Sequence, residues 1–137
     1  MAGPLDRGDR PFVIHLDTHV VVWAYLGDRT RLSTSVQRVL ESDALAISPI
    51  VRLEVGLLHE VGRQSDPPDL IVDRVLSGLG ATVSRAPYAE VVAAALPLGW
   101  TRDPFDRLLL AAATVDRARL LTRDRLLRER APAAFWP

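Results

Sequence analysis

Short apolar runs rich in β-branched residues alternate along this chain with longer stretches whose apolar positions recur every three or four residues. Runs of the first kind predict strands and stretches of the second kind predict helices. "FVIHLD" reads as a strand ending at Asp17, and "THVVVWAYLG" turns at once into a short helix closed by Gly27. In "LSTSVQRVLESD" a cap residue, Ser33, precedes a face made by Val36, Val39 and Leu40, which predicts a helix. "ALAIS" is the next strand. Ser48 followed by Pro49 is a cap with proline at the first helical position, and it opens "PIVRLEVGLLHEVG", a helix that stops near Gly62. "RQSDPP" is a loop, "DLIVDRVLSGLG" an amphipathic helix, "ATVSRA" a weak strand and "PYAEVVAAALPLG" a helix opened by proline. "DPFDRLLLAAATVDR" is the strongest helix, "ARLLT" the strand leaving it, "RDRLLRER" a last turn or two, and "APAAFWP" a tail.

Strands and helices thus alternate through about four rounds, with no Asn-Gly hairpin signal between them. That alternation predicts right-handed crossovers and a parallel sheet covered on both faces, in one α/β domain. Residues 1–11, with charges of both signs and no apolar stretch, read as a mobile lead-in to a domain over 12–137.

The 137 residues suffice for one domain with a real core. Without cysteine there is neither a disulfide framework nor a thiolate metal site, as suits a reducing cytoplasm. No apolar run approaches the ~20 residues of a membrane helix. Net charge is zero, which argues against a globally basic nucleic-acid binder. All 17 basic residues are arginine, and eight of them lie between Arg102 and Arg130. A genome favouring arginine codons accounts for the missing lysine, although arginine's planar fork also suits phosphate.

In an open parallel sheet, ligands bind beyond the carboxyl ends of the strands. Asp17 directly follows the first strand there, and Asp124 comes just after "RLL", with Thr122 between. Glu54 sits in the second turn of the helix leaving "ALAIS", and Asp103 and Asp106 occupy the first turn of the longest helix. Carboxylates gathered in one cleft raise one another's pKa unless a cation intervenes. Oxygen ligands without His or Cys suit a hard ion, Mg²⁺ or Mn²⁺, and such ions serve phosphodiester cleavage.

Each acid also has a plainer reading. Asp17 and Asp124 could cap the turns that follow them, and Glu54 could be a surface residue paired with Arg52 or His59. Asp103, Pro104 and Asp106 stand at N-cap, N1 and N3, close to a capping box. Thr18 and Thr122 could orient a ligand carboxylate. Arg102 and Arg107 could hold substrate phosphates or simply pair with Asp103 and Asp106. His19 and Trp23, four apart, read as packing partners, and His15, His19 and His59 make no zinc spacing.

At these residues the chain resembles the PIN-domain nucleases, and among them the VapC-type toxins of prokaryotic toxin–antitoxin modules. The resemblance rests on "LDTHVVVWAY", "ISPIVRLEVGLL", "RDPFDRLLLAAA" and "ARLLTRD", in family order from about Phe12 to Leu127. It implies a three-layer α/β/α sandwich around a mostly parallel sheet of four to five strands. It also implies Mg²⁺- or Mn²⁺-dependent endoribonuclease activity, with Asp17, Glu54, Asp106 and Asp124 as the acidic quartet. Of these, Asp17, Asp106 and Asp124 are expected at the metal and Glu54 completes the site. By the same resemblance Asp103 matches a frequent extra acid, and Thr122 the hydroxyl before the fourth acid. Thr101 departs from relatives that often carry histidine there, and the stretch between Gly62 and Pro68 is short.

A toxin of this kind implies a small cognate antitoxin, lying along an apolar groove with basic residues offered to the acidic pocket. A homodimer is implied too, assembling with antitoxin into a heterotetramer or larger. The exposed faces at Leu57 with Leu58, or at Leu76 with Leu79, are candidates for either surface. The rival reading is a PIN domain of RNA processing or DNA cleavage without an antitoxin. A receiver-like phosphotransfer module needs a lysine that this chain does not have.

Overall fold

The computed structural model describes residues 13–137, so the expected lead-in over 1–11 lies outside the described residues. Strand β1 (Val13–Leu16) leads into α1 (Thr18–Leu26) and α2 (Thr34–Ser42). Then follow β2 (Ala44–Ile47), α3 (Pro49–Glu60), α4 (Pro68–Leu79), β3 (Thr82–Val83) and α5 (Tyr88–Ala95). The chain closes with α6 (Pro104–Val115), β4 (Arg119–Leu121), α7 (Arg125–Arg130) and β5 (Ala134–Phe135).

The five strands form one sheet in the order β3-β2-β1-β4-β5, with every neighbouring pair parallel. The first strand therefore lies at the centre, with Ile14 opposite both Leu45 and Arg119. Side chains alternate across a strand, and the core shows it. Leu121 packs with Leu16, Val20, Ile47, Val51 and Ile71, whereas its neighbour Leu120 packs with Leu110, Ala113 and Leu127. Adjacent residues feeding separate cores mean that helices cover both faces, which gives the three expected layers.

The terminal "APAAFWP" is a correction to the sequence reading. It supplies the fifth strand, with Ala134 and Phe135 opposite Leu120 and Leu121. Arg119 lies over the Phe135 ring, its guanidinium carbon 3.9 Å from the ring centroid. Two residues between prolines carry too little pattern to be read as a strand, and the pairing that makes them one comes from β4.

His15 faces the layer opposite Leu16 and is almost wholly buried, 1% exposed. Its Nε2–H donates to Asp116 Oδ2 at 2.8 Å, and the Ser84 hydroxyl donates to the same oxygen at 2.6 Å. Burial pushes the imidazole pKa down despite the Asp116 carboxylate, so the ring is neutral when it packs. This network ties the central strand, the segment after β3 and the end of α6 together. Asp116→Ala leaves two buried polar groups without their acceptor and should lower stability by about 1–3 kcal/mol in urea unfolding. A loss below about 0.5 kcal/mol would show that the network contributes nothing to the fold.

Candidate active site

Asp17 ends the central strand and begins α1, so one residue serves both elements. It is 6% exposed. Its Oδ1 accepts the Thr18 backbone N–H at 2.7 Å, which caps α1, and its Oδ2 accepts the buried Thr122 hydroxyl at 2.5 Å. The Asp17 backbone N–H donates to Leu121 O at 3.1 Å, extending the β1–β4 ladder to the carboxylate itself. Burial raises the Asp17 pKa, while the bond from Thr122 and the charge of His19 oppose the rise.

Glu54 pairs with neither Arg52 nor His59. Arg52 instead clamps Asp69 and Asp73 on α4 at 2.7 and 2.9 Å. Glu54 Oε1 accepts the Thr18 hydroxyl at 2.6 Å. Thr18 thereby joins two of the acids, Asp17 through its backbone and Glu54 through its side chain. Burial raises the Glu54 pKa first, the bond from Thr18 opposes it, and the negative charge of Asp17 adds to the rise.

Asp103 caps α6, accepting the N–H groups of Phe105 and Asp106 at 2.8 and 3.4 Å, and Pro104 follows at N1. Asp124 caps α7 by accepting the Leu127 N–H at 3.0 Å, and its own N–H donates to Thr122 Oγ1 at 3.0 Å. Thr122 therefore holds Asp17 with its hydroxyl proton and the Asp124 backbone with its lone pair.

Asp106, one turn into α6, shows how closely these segments meet. Its pKa rises to about 7, from burial first and then from the charges of Asp103, Asp17, Asp124 and Glu54 in that order. A carboxyl perturbed by four other carboxylates from four parts of the chain lies in their common field. Among the described residues no three of these groups close into a ready-made metal cage. A hard ion takes oxygen ligands and keeps several waters of its own. The donors are all oxygen, and the shared negative field is what a divalent cation would neutralise. The acids fit Mg²⁺ or Mn²⁺.

Of the two readings of the arginines beside the acids, the pairing with Asp103 and Asp106 is not what the structure has. Arg107 Nε donates to the Thr101 carbonyl at 2.8 Å, bracing the loop before α6, and neither Arg102 nor Arg107 forms an ion pair with Asp103 or Asp106. Cavity volume does not mark the chemistry. A cleft of about 520 Å³ between α1 and α4 is lined by Ala24, Tyr25, Leu26 and Leu79, with Arg74 its one charged group.

A family model for the PIN domain matches residues 14–131. The chain belongs to the PIN-domain family. This PIN domain is 35% identical to Ribonuclease VapC22 of Mycobacterium tuberculosis, over 88% of this chain and 96% of that protein. Its fold is shared by solved structures at lower identity. VapBC2 from Rickettsia felis, bound to a promoter DNA fragment, matches with TM-score 0.65 at 19% identity, covering 91% of this chain and 97% of that one. A toxin–antitoxin complex from Klebsiella pneumoniae matches with TM-score 0.62 at 19% identity, covering 89% and 95%.

Asp106 fixes the sign of a pH effect. Its folded pKa, about 7, stands above its ordinary 3.8. The folded chain thus holds the proton that the unfolded chain has lost, and stability falls as pH rises across that window. Glu54 and Asp17 shift in the same direction. Thermal unfolding in chelator should show a Tm gain from Asp106→Asn that is larger at pH 8 than at pH 5, while His15, whose pKa burial lowers, costs stability below its ordinary 6.5 in both proteins. Asp103→Ala should act oppositely, lowering stability by about 1 kcal/mol through the lost cap. A gain from Asp106→Asn no larger at pH 8 than at pH 5 would mean that the charges do not meet.

Proposed function

We propose that this PIN domain is a metal-dependent endoribonuclease, the toxin of a toxin–antitoxin pair, hydrolysing RNA phosphodiester bonds at the Asp17, Glu54, Asp106 and Asp124 site. The observation that supports the reading is the joining of Asp17 to Thr122 and Thr18, and of Thr18 to Glu54, by bonds of 2.5, 2.7 and 2.6 Å where the central strand ends. The likeness to Ribonuclease VapC22 supports RNA as the substrate.

Asp17, Asp106 and Asp124 would hold a Mg²⁺ or Mn²⁺ ion, which when bound supplies positive charge at the phosphate and acidifies water. The chain's own groups do the positioning. Thr122 and the Thr18 N–H fix both Asp17 oxygens, so that carboxylate cannot rotate away from the site. Glu54, with its pKa raised by burial, is suited to accept a proton from the attacking water. Thr18 holds that carboxylate toward Asp17. Water would attack phosphorus as Glu54 takes its proton, the bond from phosphorus to the ribose oxygen breaks, that oxygen gains a proton from solvent, and two shorter RNA chains result.

The antitoxin and the second protomer need apolar surface. Leu53 and Leu57 on α3 and Val61 just after it are exposed, as are Tyr88 and Val92 on α5 and Leu96 at its end. Leu76 and Leu79 pack partly against the main core, and Leu79 lines the cleft between α1 and α4. These two regions suit the two partners.

Purified protein with Mn²⁺ should cleave single-stranded RNA, and Asp17→Asn should lose at least about 10²-fold in rate with its circular dichroism unchanged. Near-full activity in Asp17→Asn would sink the assignment. Preferential cleavage of DNA, with no small protein co-purifying from the native host, would favour the rival PIN-domain reading.

A further inference from the structure

Beside the acidic site lies a second cluster of opposite character. His19 and Trp23 stand one turn apart on α1 with ring centroids 5.8 Å apart. Trp136, just beyond β5, meets Trp23 edge-on at 6.2 Å. Two guanidinium groups lie over the Trp23 ring, Arg31 at 5.7 Å and Arg123 at 6.0 Å from its centroid. A cleft of about 300 Å³ opens here, lined among others by His19, Trp23, Arg31, Leu58, Arg63 and Gln64, with no carboxylate in its wall. That volume is at the lower end for clefts that take small groups.

Two links join this cleft to the acids. His19 is two residues beyond Asp17, on the helix that Asp17 caps. Arg123 stands between Thr122, which holds Asp17, and Asp124, which caps α7. One edge of the site is thus acidic and suited to a metal, and the next is cationic and aromatic.

Aromatic plates interleaved with arginine are what binds single-stranded nucleic acid, because every base has a π-face and every linkage a phosphate. We propose that this cleft is a nucleobase-stacking subsite. An unpaired base of the RNA substrate lies against Trp23 and His19, while Arg31, Arg63 and Arg123 hold the flanking phosphates and direct the chain toward the carboxylates. The subsite rests on the ribonuclease reading for its ligand and adds where, and in what conformation, that RNA is gripped. A duplex keeps its bases stacked inside, so the subsite selects unpaired segments. A basic antitoxin segment is a poor occupant, since the cleft wall carries two arginines, Arg31 and Arg63, and no carboxylate.

The test uses the full chain and a fluorescently labelled single-stranded oligoribonucleotide, with cleavage in Mn²⁺ and binding by anisotropy in chelator. Trp23→Leu should raise KM and the dissociation constant about ten-fold and leave kcat within about two-fold, while Trp23→Phe keeps most of the affinity. Arg31→Ala and Arg123→Ala should each weaken binding and shallow its salt dependence. Trp23 contributes to packing, so the exposed His19→Ala, together with abasic substitutions along the RNA, gives a second route. One abasic position should cost as much as Trp23→Leu and add nothing to it. Unchanged KM in folded Trp23→Leu and His19→Ala proteins, or loss of kcat alone, overturns the proposal. So does unchanged RNA binding with lost antitoxin binding. Protein that binds RNA through Trp23 without cleaving it would uphold the subsite and remove the nuclease reading.

Discussion

The structure is organised by mutual repulsion among carboxylates at the carboxyl ends of β1 and β4 and by what offsets it. In a parallel sheet each strand hands its chain to a helix, so helix N-termini gather where the strands end. Each such terminus exposes unpaired N–H groups and the positive end of a dipole. Asp17, Asp103 and Asp124 are each the N-cap of a helix there, and Asp106 lies in the first turn of one. The residues that crowd negative charge together are thus the ones that the backbone needs as caps. Each cap recovers about 1 kcal/mol locally. What the caps do not offset falls on Asp106, whose carboxyl rises to about 7 through burial first and the neighbouring charges second.

This arrangement joins the capping and catalytic readings of the "RDPFDR" stretch and divides them between two residues. Both carboxylate partners of Asp103 are backbone N–H groups of its own helix, which is the work of a cap. Asp106 takes no such bond, and its carboxyl is raised by burial first, then by Asp103 beside it and by Asp17, Asp124 and Glu54 from elsewhere in the chain. Two threonines make the site rigid. Thr122 and Thr18 touch Asp17, and through them Glu54 and Asp124 are fixed to the same point at the end of the central strand. On the other face, His15 and Asp116 hold α6 against β1, so the helix carrying Asp106 is anchored at its far end.

Much of this was legible in the sequence where the signal is local. Strands β1 and β2 are β-branched or apolar runs, the caps at Ser33, Ser48, Asp103 and Asp124 fall where expected, and alternation alone gave the parallel sheet. Long-range contacts were not legible. β3 was read as a weak strand in "ATVSRA", whereas the two-residue β5 is made by its pairing with β4 rather than by its own residues. Arg107 sits beside two acids in sequence, yet the turn into α6 directs it to the Thr101 carbonyl. The packing of His19 with Trp23 follows from their helical spacing. That Arg31 and Arg123 converge on the same ring needed the fold.

The central claim is that these acids share one field which a divalent ion relieves. Calorimetric titration of the protein with Mn²⁺, in two buffers of different ionisation enthalpy, tests it most directly by counting the protons released. Near pH 7 the Asp106 carboxyl is about half protonated, so binding should release roughly half a proton, falling toward zero by pH 9. Asp106→Asn should remove that release. No Mn²⁺ binding, or binding with no pH-dependent proton release, would contradict the account.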